Sequence, residues 1–395
     1  MSRAILVFSR ATPHHHSGGM EEVSWGLAAE WARLGREVRL VTTALPGAEG
    51  PFSDAGVEVV PLSGTAPGRY SRAWWEASRR YWTQLAAAPS VVLSVSSAAY
   101  AAVRERARHP HTPFVMQAHG TSAMEILSKL RAASVKYAAT APKNALWLLR
   151  DLARYRDFDQ IVAVGDRVYD SLVAKPQRWS VGAERVRLIR NGVAAEGHAF
   201  APAARERVRA EHGIGPDTVA VACVGRLHLQ KRVDRALRTA AALRASGDGD
   251  RYRFLLVGDG PDEQRLRGLA AELGVAGMVV FTGRADRERV RDYNSAADVA
   301  LVTTARMEVG LPLVVLEALA NGLPCVVPSS FVAGTSWKGL HPVDAGDPPA
   351  VATALAAATR GPRGAASLLP ADLTLERCAR TYLDLFDELA PVGRA

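Results

Sequence analysis

Residues 305–327 read ARMEVGLPLVVLEALANGLPCVV, and the reading of this stretch decides the fold. The apolar run before it, Val299 to Thr303, reads as a buried strand. A loop follows with a carboxylate at Glu308 and a glycine at Gly310. Then comes a helix with Pro312 in its first turn and Asn321-Gly322 at its end, and after it another apolar strand. Proline suits a first turn because its missing N–H would have no partner there, and glycine suits the left-handed position just past a helix. A helix opening beside the C-terminal end of a parallel strand presents free N–H groups and a positive dipole end, which suit an anion. Glu308 and Glu317 flank that point, so carboxylates can hold hydroxyls while N–H groups hold phosphates. The combination suggests a sugar nucleotide.

Working outward, short apolar strands alternate with helical segments along the whole chain, which implies parallel sheets covered on both faces. Strands are expected at Ala4–Phe8, Val38–Thr42, Val57–Pro61, Val91–Val95, Phe114–Gln117, Gln160–Val164 and Val186–Ile189. After the turn-forming Arg190-Asn191-Gly192-Val193 and a polar connection to about Asp217, the alternation restarts. Its strands are Val219–Val224, Phe254–Val257, Met278–Thr282, Val299–Thr303 and Cys325–Val327. The fold class is therefore α/β: two tandem Rossmann-like domains, residues 1–193 and 194–372, with a cleft between them. A final helical segment occupies 373–395.

Several motifs sit at strand ends. Gly18-Gly19 follows the first strand and permits close approach of a phosphate or sugar. His14, His15 and His16 are adjacent, so they cannot converge on one metal ion, and a solvated or acceptor-lining loop is expected instead. Tyr70 to Trp82 places Trp74, Ala77, Ser78, Tyr81 and Leu85 on one helical stripe, read as a core face. Phe114–Gln117 leads into Ala118-His119-Gly120, at the strand end where α/β sheets bind ligands. Lys129, Lys136, Lys143 and Arg150 recur every seven residues, a basic stripe interrupted by Pro142. It reads as a solvated face, the alternative being electrostatic contact with an anionic membrane or acceptor. Val219–Val224 runs into Gly225-Arg226-Leu227-His228-Leu229-Gln230-Lys231, a glycine turn carrying two cations.

These residues together resemble the GT-B, family-4-type retaining glycosyltransferases. The segments that carry the likeness are G-G-x-E through Gly18, Gly19 and Glu21, H-G at His119, G-R-L-x-x-x-K through Arg226 and Lys231, and L-E-A-x-A-x-G-x-P around Glu317. Val257 to Pro261 and Val280 to Gly283 are similar to family segments too. The family separates its two glutamates by seven residues and this chain by eight, so Val309 stands in the slot of the first. Downstream of Pro324 the usual G-G-x-P-E is replaced by Phe331 to Thr335.

The resemblance implies an acceptor-binding first domain, a nucleotide-sugar-binding second domain, and a C-terminal helix returning to the first. It implies transfer of a hexose from a nucleoside diphosphate sugar, UDP favoured over GDP, to a hydroxyl of a secondary metabolite or lipid-linked glycan. Arg226 and Lys231 would hold the diphosphate, Glu317 the ribose hydroxyls, and Glu308 with the amides of Gly310 and Leu311 the sugar, with His119 reaching it from the first domain. Two cations and a helix N-terminus could stabilise the leaving diphosphate without a metal, so neither metal nor cofactor is expected. An epimerase or hydrolase on the same fold, or a non-catalytic partner subunit, are the alternatives.

Composition bounds the rest. The 395 residues are 48% hydrophobic and 23% charged, as in globular chains, and no apolar run approaches the ~20 residues of a membrane-spanning helix. No secretory signal is recognised, and Cys223, Cys325 and Cys378 have neither disulfide nor metal spacing, so a cytoplasmic setting is expected. A net charge of +9 favours anionic partners; a nucleotide sugar and an acceptor are expected, nucleic acid is not. Only six of the 49 cationic residues are lysines, which makes Lys231 a notable choice of side chain.

Overall fold

A computed structural model describes residues 4–16, 18–124, 126, 141–304, 310–332, 337–361 and 363–389. The chain forms two compact units, the first reaching to Gly192 and including the helix Leu375–Leu389, the second running from Val193 to Thr374.

The first unit is built on β1 (Ile5–Phe8), β2 (Val38–Thr43), β3 (Phe52–Asp54), β4 (Val57–Leu62), β5 (Val91–Val95), β6 (Phe114–Ala118), β7 (Gln160–Ala163) and β8 (Val186–Leu188). Their order is β3-β4-β2-β1-β5-β6-β7-β8, parallel throughout except for β3, which pairs antiparallel with β4. The central strands β1, β5 and β6 are buried along their whole length, which is why they read as continuous apolar runs rather than alternations. The helix Arg72–Gln84 buries Trp74, Ser78 and Trp82. The expected stripe thus turns toward Trp82, and Ala77, Tyr81 and Leu85 are only half-buried at its margin.

The helix Leu375–Leu389 belongs to this unit because its apolar face, Cys378, Ala379, Tyr382, Leu385 and Phe386, needs a partner. It finds one in the helix Gly19–Arg33. The Trp31 ring lies 5.7 Å from Tyr382 and 5.4 Å from Phe386, and its Nε1–H donates to the Ala379 carbonyl at 3.0 Å.

The second unit carries β9 (Val219–Val224), β10 (Tyr252–Val257), β11 (Val279–Gly283), β12 (Val299–Leu301), β13 (Cys325–Pro328) and β14 (Leu340–Val343), in the order β11-β10-β9-β12-β13-β14, all parallel. The helix Arg287–Ala296 that leads into β12 ends on carbonyls with no helical partner. Guanidinium groups satisfy them: Arg205 donates to Ser295, Ala296 and Ala297, and Arg363 to Asn294 and Ala297. Asp298, at the start of the strand, answers Arg205 and Arg209.

Candidate active site

In the second sheet the chain steps from β9 outward through β10 to β11, then returns to place β12 on the other side of β9. The loops leaving β9 and β12 therefore diverge, and the crevice outside their carboxyl ends is where such sheets bind ligands. Arg226 and Lys231 both lie in the loop after β9. Gly225 opens it at φ +148°. Its N–H donates to the Val257 carbonyl at 2.9 Å and the Leu227 N–H to the Asp259 carbonyl at 2.8 Å, while Asp262 N–H donates to the Leu227 carbonyl at 3.1 Å. The approach is so close that a Cβ at Gly258 would lie 2.2 Å from the Gly225 oxygen, and one at Gly260 2.2 Å from the Leu227 oxygen. Leu227 is buried beneath, so Arg226 is anchored on both sides and turns outward, exposed.

Lys231 is set by a different device. His228 Nδ1 accepts from the Gln230 N–H at 3.2 Å and starts the 3-10 turn Leu229–Lys231. The Thr303 hydroxyl, just past β12, donates to the Lys231 carbonyl at 2.8 Å, and Arg235 donates to the Thr303 carbonyl at 3.3 Å. The two loops of the crevice are thereby tied together. Arg232 and Arg265 are paired with Asp234 and Asp262. Arg226 and Lys231, among the described residues, have no carboxylate partner, so their charge remains available to an anion.

The helix Leu313–Ala320 begins one residue later than expected: Pro312, at ψ +143°, is its cap rather than part of its first turn. Leu316 and Leu319 are buried and fix its register. Glu317 is half-buried on it, and Leu311 packs with Val193, Leu316 and Leu373. Gly310 groups with the first unit. Glu308 lies outside the described residues.

The first sheet has its own reversal between β1 and β5. After β1, Gly18 caps the helix Gly19–Arg33 without a side-chain hydrogen bond. A Cβ at Gly18 would lie 2.5 Å from Glu21 Oε2. That carboxylate is buried, 3.8 Å from Arg10 and 3.5 Å from His16. His15 bonds Thr12, Thr43 and the Ala44 carbonyl, and burial lowers its pKa. His14 pairs with Asp54 at 2.9 Å. The three histidines thus brace the loop separately, and no cluster that could hold a metal occurs among the described residues.

His119 leaves β6 before Gly120, whose φ is +154°. Its Nε2 lies 2.9 Å from Gln117 Oε1, and burial pulls its pKa down to about 4, so the ring is neutral at pH 7.

Residues 18–192 match the family described as "Glycosyl transferase 4-like domain" and residues 204–333 match "Glycosyl transferases group 1", together more than half of the chain. The chain belongs to the GT-B glycosyltransferases. It is 33% identical over 178 residues to D-inositol 3-phosphate glycosyltransferase of Acidothermus cellulolyticus, covering 42% of this chain and 39% of that protein. It is 34% identical over 185 residues to the GDP-mannose-dependent alpha-(1-6)-phosphatidylinositol monomannoside mannosyltransferase of Mycolicibacterium smegmatis, covering 45% and 48%. The match thus spans less than half the length of these curated relatives. The sucrose-phosphate synthase of Thermosynechococcus elongatus shares the fold, with a TM-score of 0.75 at 19% identity over 99% of this chain and 100% of that one.

In this glycosyltransferase the expected basic stripe is not seen as such. Lys129 and Lys136 lie outside the described residues, and so does the side chain of Lys143. Arg150 lies over Trp75 at 4.2 Å and Trp147 at 5.0 Å, where it packs as a planar cation on aromatic faces instead of standing in solvent. No helix among the described residues is long and apolar enough to cross a membrane. Sequence reasoning placed Gly258 and Gly260 in a family-like segment without giving them a supporting role in the crevice, and it gave Thr303 none. The glycine spacing after β10 carried a signal for the glycines, because Gly-x-Gly at a strand end marks close backbone approach. Thr303 carried none.

Proposed function

We propose that this glycosyltransferase moves a hexose from a nucleoside diphosphate sugar to a hydroxyl acceptor with retention of anomeric configuration. The observation that carries the reading is the pair Arg226 and Lys231, two cations with no carboxylate partner among the described residues, on a braced loop at the reversal of the second sheet. As the glycosidic bond to diphosphate breaks, negative charge builds on the leaving oxygens, and preorganised cations stabilise it more than they stabilise the ground state. Glu317 takes the ribose hydroxyls, Glu308 and the amides of Gly310 and Leu311 the sugar, and His119 accepts a hydrogen bond from a sugar hydroxyl. On the same face the leaving phosphate assists deprotonation of the acceptor, so no dedicated base is assigned.

The relatives' names support a nucleotide-sugar donor and a polyol or glycan acceptor; one of them uses GDP-mannose. The test is incubation of the purified protein with UDP- and GDP-hexoses, with and without polyol phosphates and lipid-linked glycans. Slow hydrolysis of one donor, accelerated by one acceptor, is expected. Reversible release of the nucleotide without transfer would indicate an epimerase, and binding without turnover would overturn the assignment.

A further inference from the structure

Among the described residues four large apolar side chains are exposed, and three of them gather on two adjoining helices of the first unit. Leu146, Leu149 and Trp179 are 68%, 65% and 74% exposed. The two leucines stand on the helix Ala141–Tyr155, whose inner side is set by the buried Asp151 and Tyr155. On the opposite side Leu146, Leu149, Ala153 and Arg156 follow one another at helical spacing, and all four are exposed. A surface helix ordinarily turns polar side chains outward, so an outer face that opens with two leucines lacks its partner.

Trp179 joins this face from the short helix Arg178–Val181. The Ser180 hydroxyl donates to the Leu152 carbonyl, and the Arg185 guanidinium donates to the carbonyls of Arg156 at 3.1 Å and Ser180 at 3.2 Å. The indole is thereby held beside the C-terminal half of the longer helix, with the Lys175 ammonium 5.6 Å from its ring centre. Lys175, Arg178 and Arg156 are exposed and have no carboxylate partner among the described residues. Asp151 is taken up by Tyr100, Ser122 and Tyr155, and Asp157 pairs with Arg154 at 2.9 Å. Asp170 and Glu184 are exposed on neighbouring segments, so the charge around the apolar stripe is on balance positive, as it is for the whole chain at +9.

We infer that this face docks on an anionic lipid surface. Leu146 and Leu149 enter the boundary of the acyl chains, and Trp179 takes the headgroup level, where amphipathic rings settle. Lys175, Arg178 and Arg156 meet lipid phosphates at the rim. A second copy of the chain is a poor occupant, because a two-fold contact sets the patch against itself and brings the same cations face to face. The basic heptad read from the sequence reaches this helix at Arg150, which turns onto Trp75 instead. The docking face is a different one, with an apolar middle.

The test is flotation of the full chain with vesicles of three parts phosphatidylcholine to one part phosphatidylglycerol. The wild type should float with them at low salt and not with phosphatidylcholine alone. Added salt should release it, because exposed charges are screened over ~8 Å at physiological ionic strength. Leu146→Ser combined with Leu149→Ser should weaken partition roughly tenfold or more, since each buried methylene counts. Lys175→Gln and Arg178→Gln should each weaken it about fivefold. These positions are exposed and none belongs to the proposed donor site, so melting points and donor hydrolysis should match the wild type. Absence of flotation at low salt overturns the inference. Flotation that the paired leucine variant leaves unchanged overturns it too, because that is adsorption through charge alone. A dimer in light scattering that Leu149→Asp dissociates gives the face to a second copy and likewise overturns it. Vesicle binding needs no substrate, so these outcomes are separate from the transferase reading.

Discussion

The loops after β6 and β9 begin alike and end differently. Each leaves its strand through a glycine of positive φ, +154° at Gly120 and +148° at Gly225. After β6 the functional candidate precedes the glycine: His119 is tied through its side chain to Gln117, and burial has removed its charge. After β9 it follows the glycine: Arg226 is exposed and charged, and the loop is tied through its backbone to Val257 and Asp259. The same backbone device therefore delivers opposite chemistry, and desolvation makes the difference. A neutral acceptor suits a sugar hydroxyl. A full cation suits a diphosphate.

The largest effect should come from the charged end. Lys231→Ala removes one clamp from a preorganised pair, and turnover should fall on the order of 10²–10³-fold. Lys231 is exposed, so stability should stay within ~0.5 kcal/mol of the wild type. Steady-state kinetics beside a melting curve separate the two readouts. Near-native turnover would leave the loop after β9 as a structural turn and dissolve the contrast with His119.

The neutral end can be tested by acid. Burial holds His119 and His198 at about 4, and for His198 the guanidinium groups of Arg287 and Arg291 push the same way. The unfolded chain takes up these protons near 6.5. The stabilisation from neutral imidazole is therefore complete above pH 6.5, is lost as pH falls toward 4, and changes no further below that. Each group contributes up to about 3 kcal/mol across the window. Urea unfolding at steps between pH 7 and 4 should show the slope, and His198→Gln should flatten part of it. A stability that stays level over this range would mean that neither ring is desolvated.

A smaller effect separates the glycines themselves. Gly120→Ala meets nothing within 4 Å, so its cost is conformational, about 1–2 kcal/mol. Gly258→Ala drives a methyl to 2.2 Å from the Gly225 oxygen, and overpacking should add about 1–3 kcal/mol to the same kind of strain. Calorimetry should rank Gly258→Ala below Gly120→Ala. Equal losses would mean that the β9 loop is not held by its neighbour.

How far the sequence led can be judged on particular residues. The parallel strands were legible because burial on both faces makes them apolar throughout, as in the run Val91–Val95. Two edge strands were not: β3 has three residues, and β14 carries Pro342, which reads as a breaker and is tolerated only at an edge. The cations of the β9 loop were legible because a glycine turn after a strand is a local pattern. Gln117 was passed over as the end of a strand, although a glutamine inside the apolar run Phe114–Ala118 must find buried partners. Its partner Tyr382 is 265 positions away, a distance no local pattern spans.

Thr303 is the finest test of the comparison, because its side chain ties the charged loop as Gln117 ties the neutral one. Its hydroxyl donates to the Lys231 carbonyl, which is the last of the 3-10 turn carrying the ammonium. Thr303→Val keeps the shape of this buried residue and removes only that bond. The Lys231 carbonyl lies on an exposed turn, so water can replace the lost donor, and stability should fall by no more than ~1 kcal/mol. Arg235 still holds the Thr303 carbonyl, so the end of β12 stays in place. What should change is the positional freedom of Lys231. A cation that must meet developing charge at one place loses more in the transition state than in ground-state binding. Turnover should therefore drop about fivefold with donor KM nearly constant, whereas a merely structural tether would move the melting point and leave both constants alone. A rise in KM at constant turnover would mean that Lys231 binds the donor equally before and during the reaction.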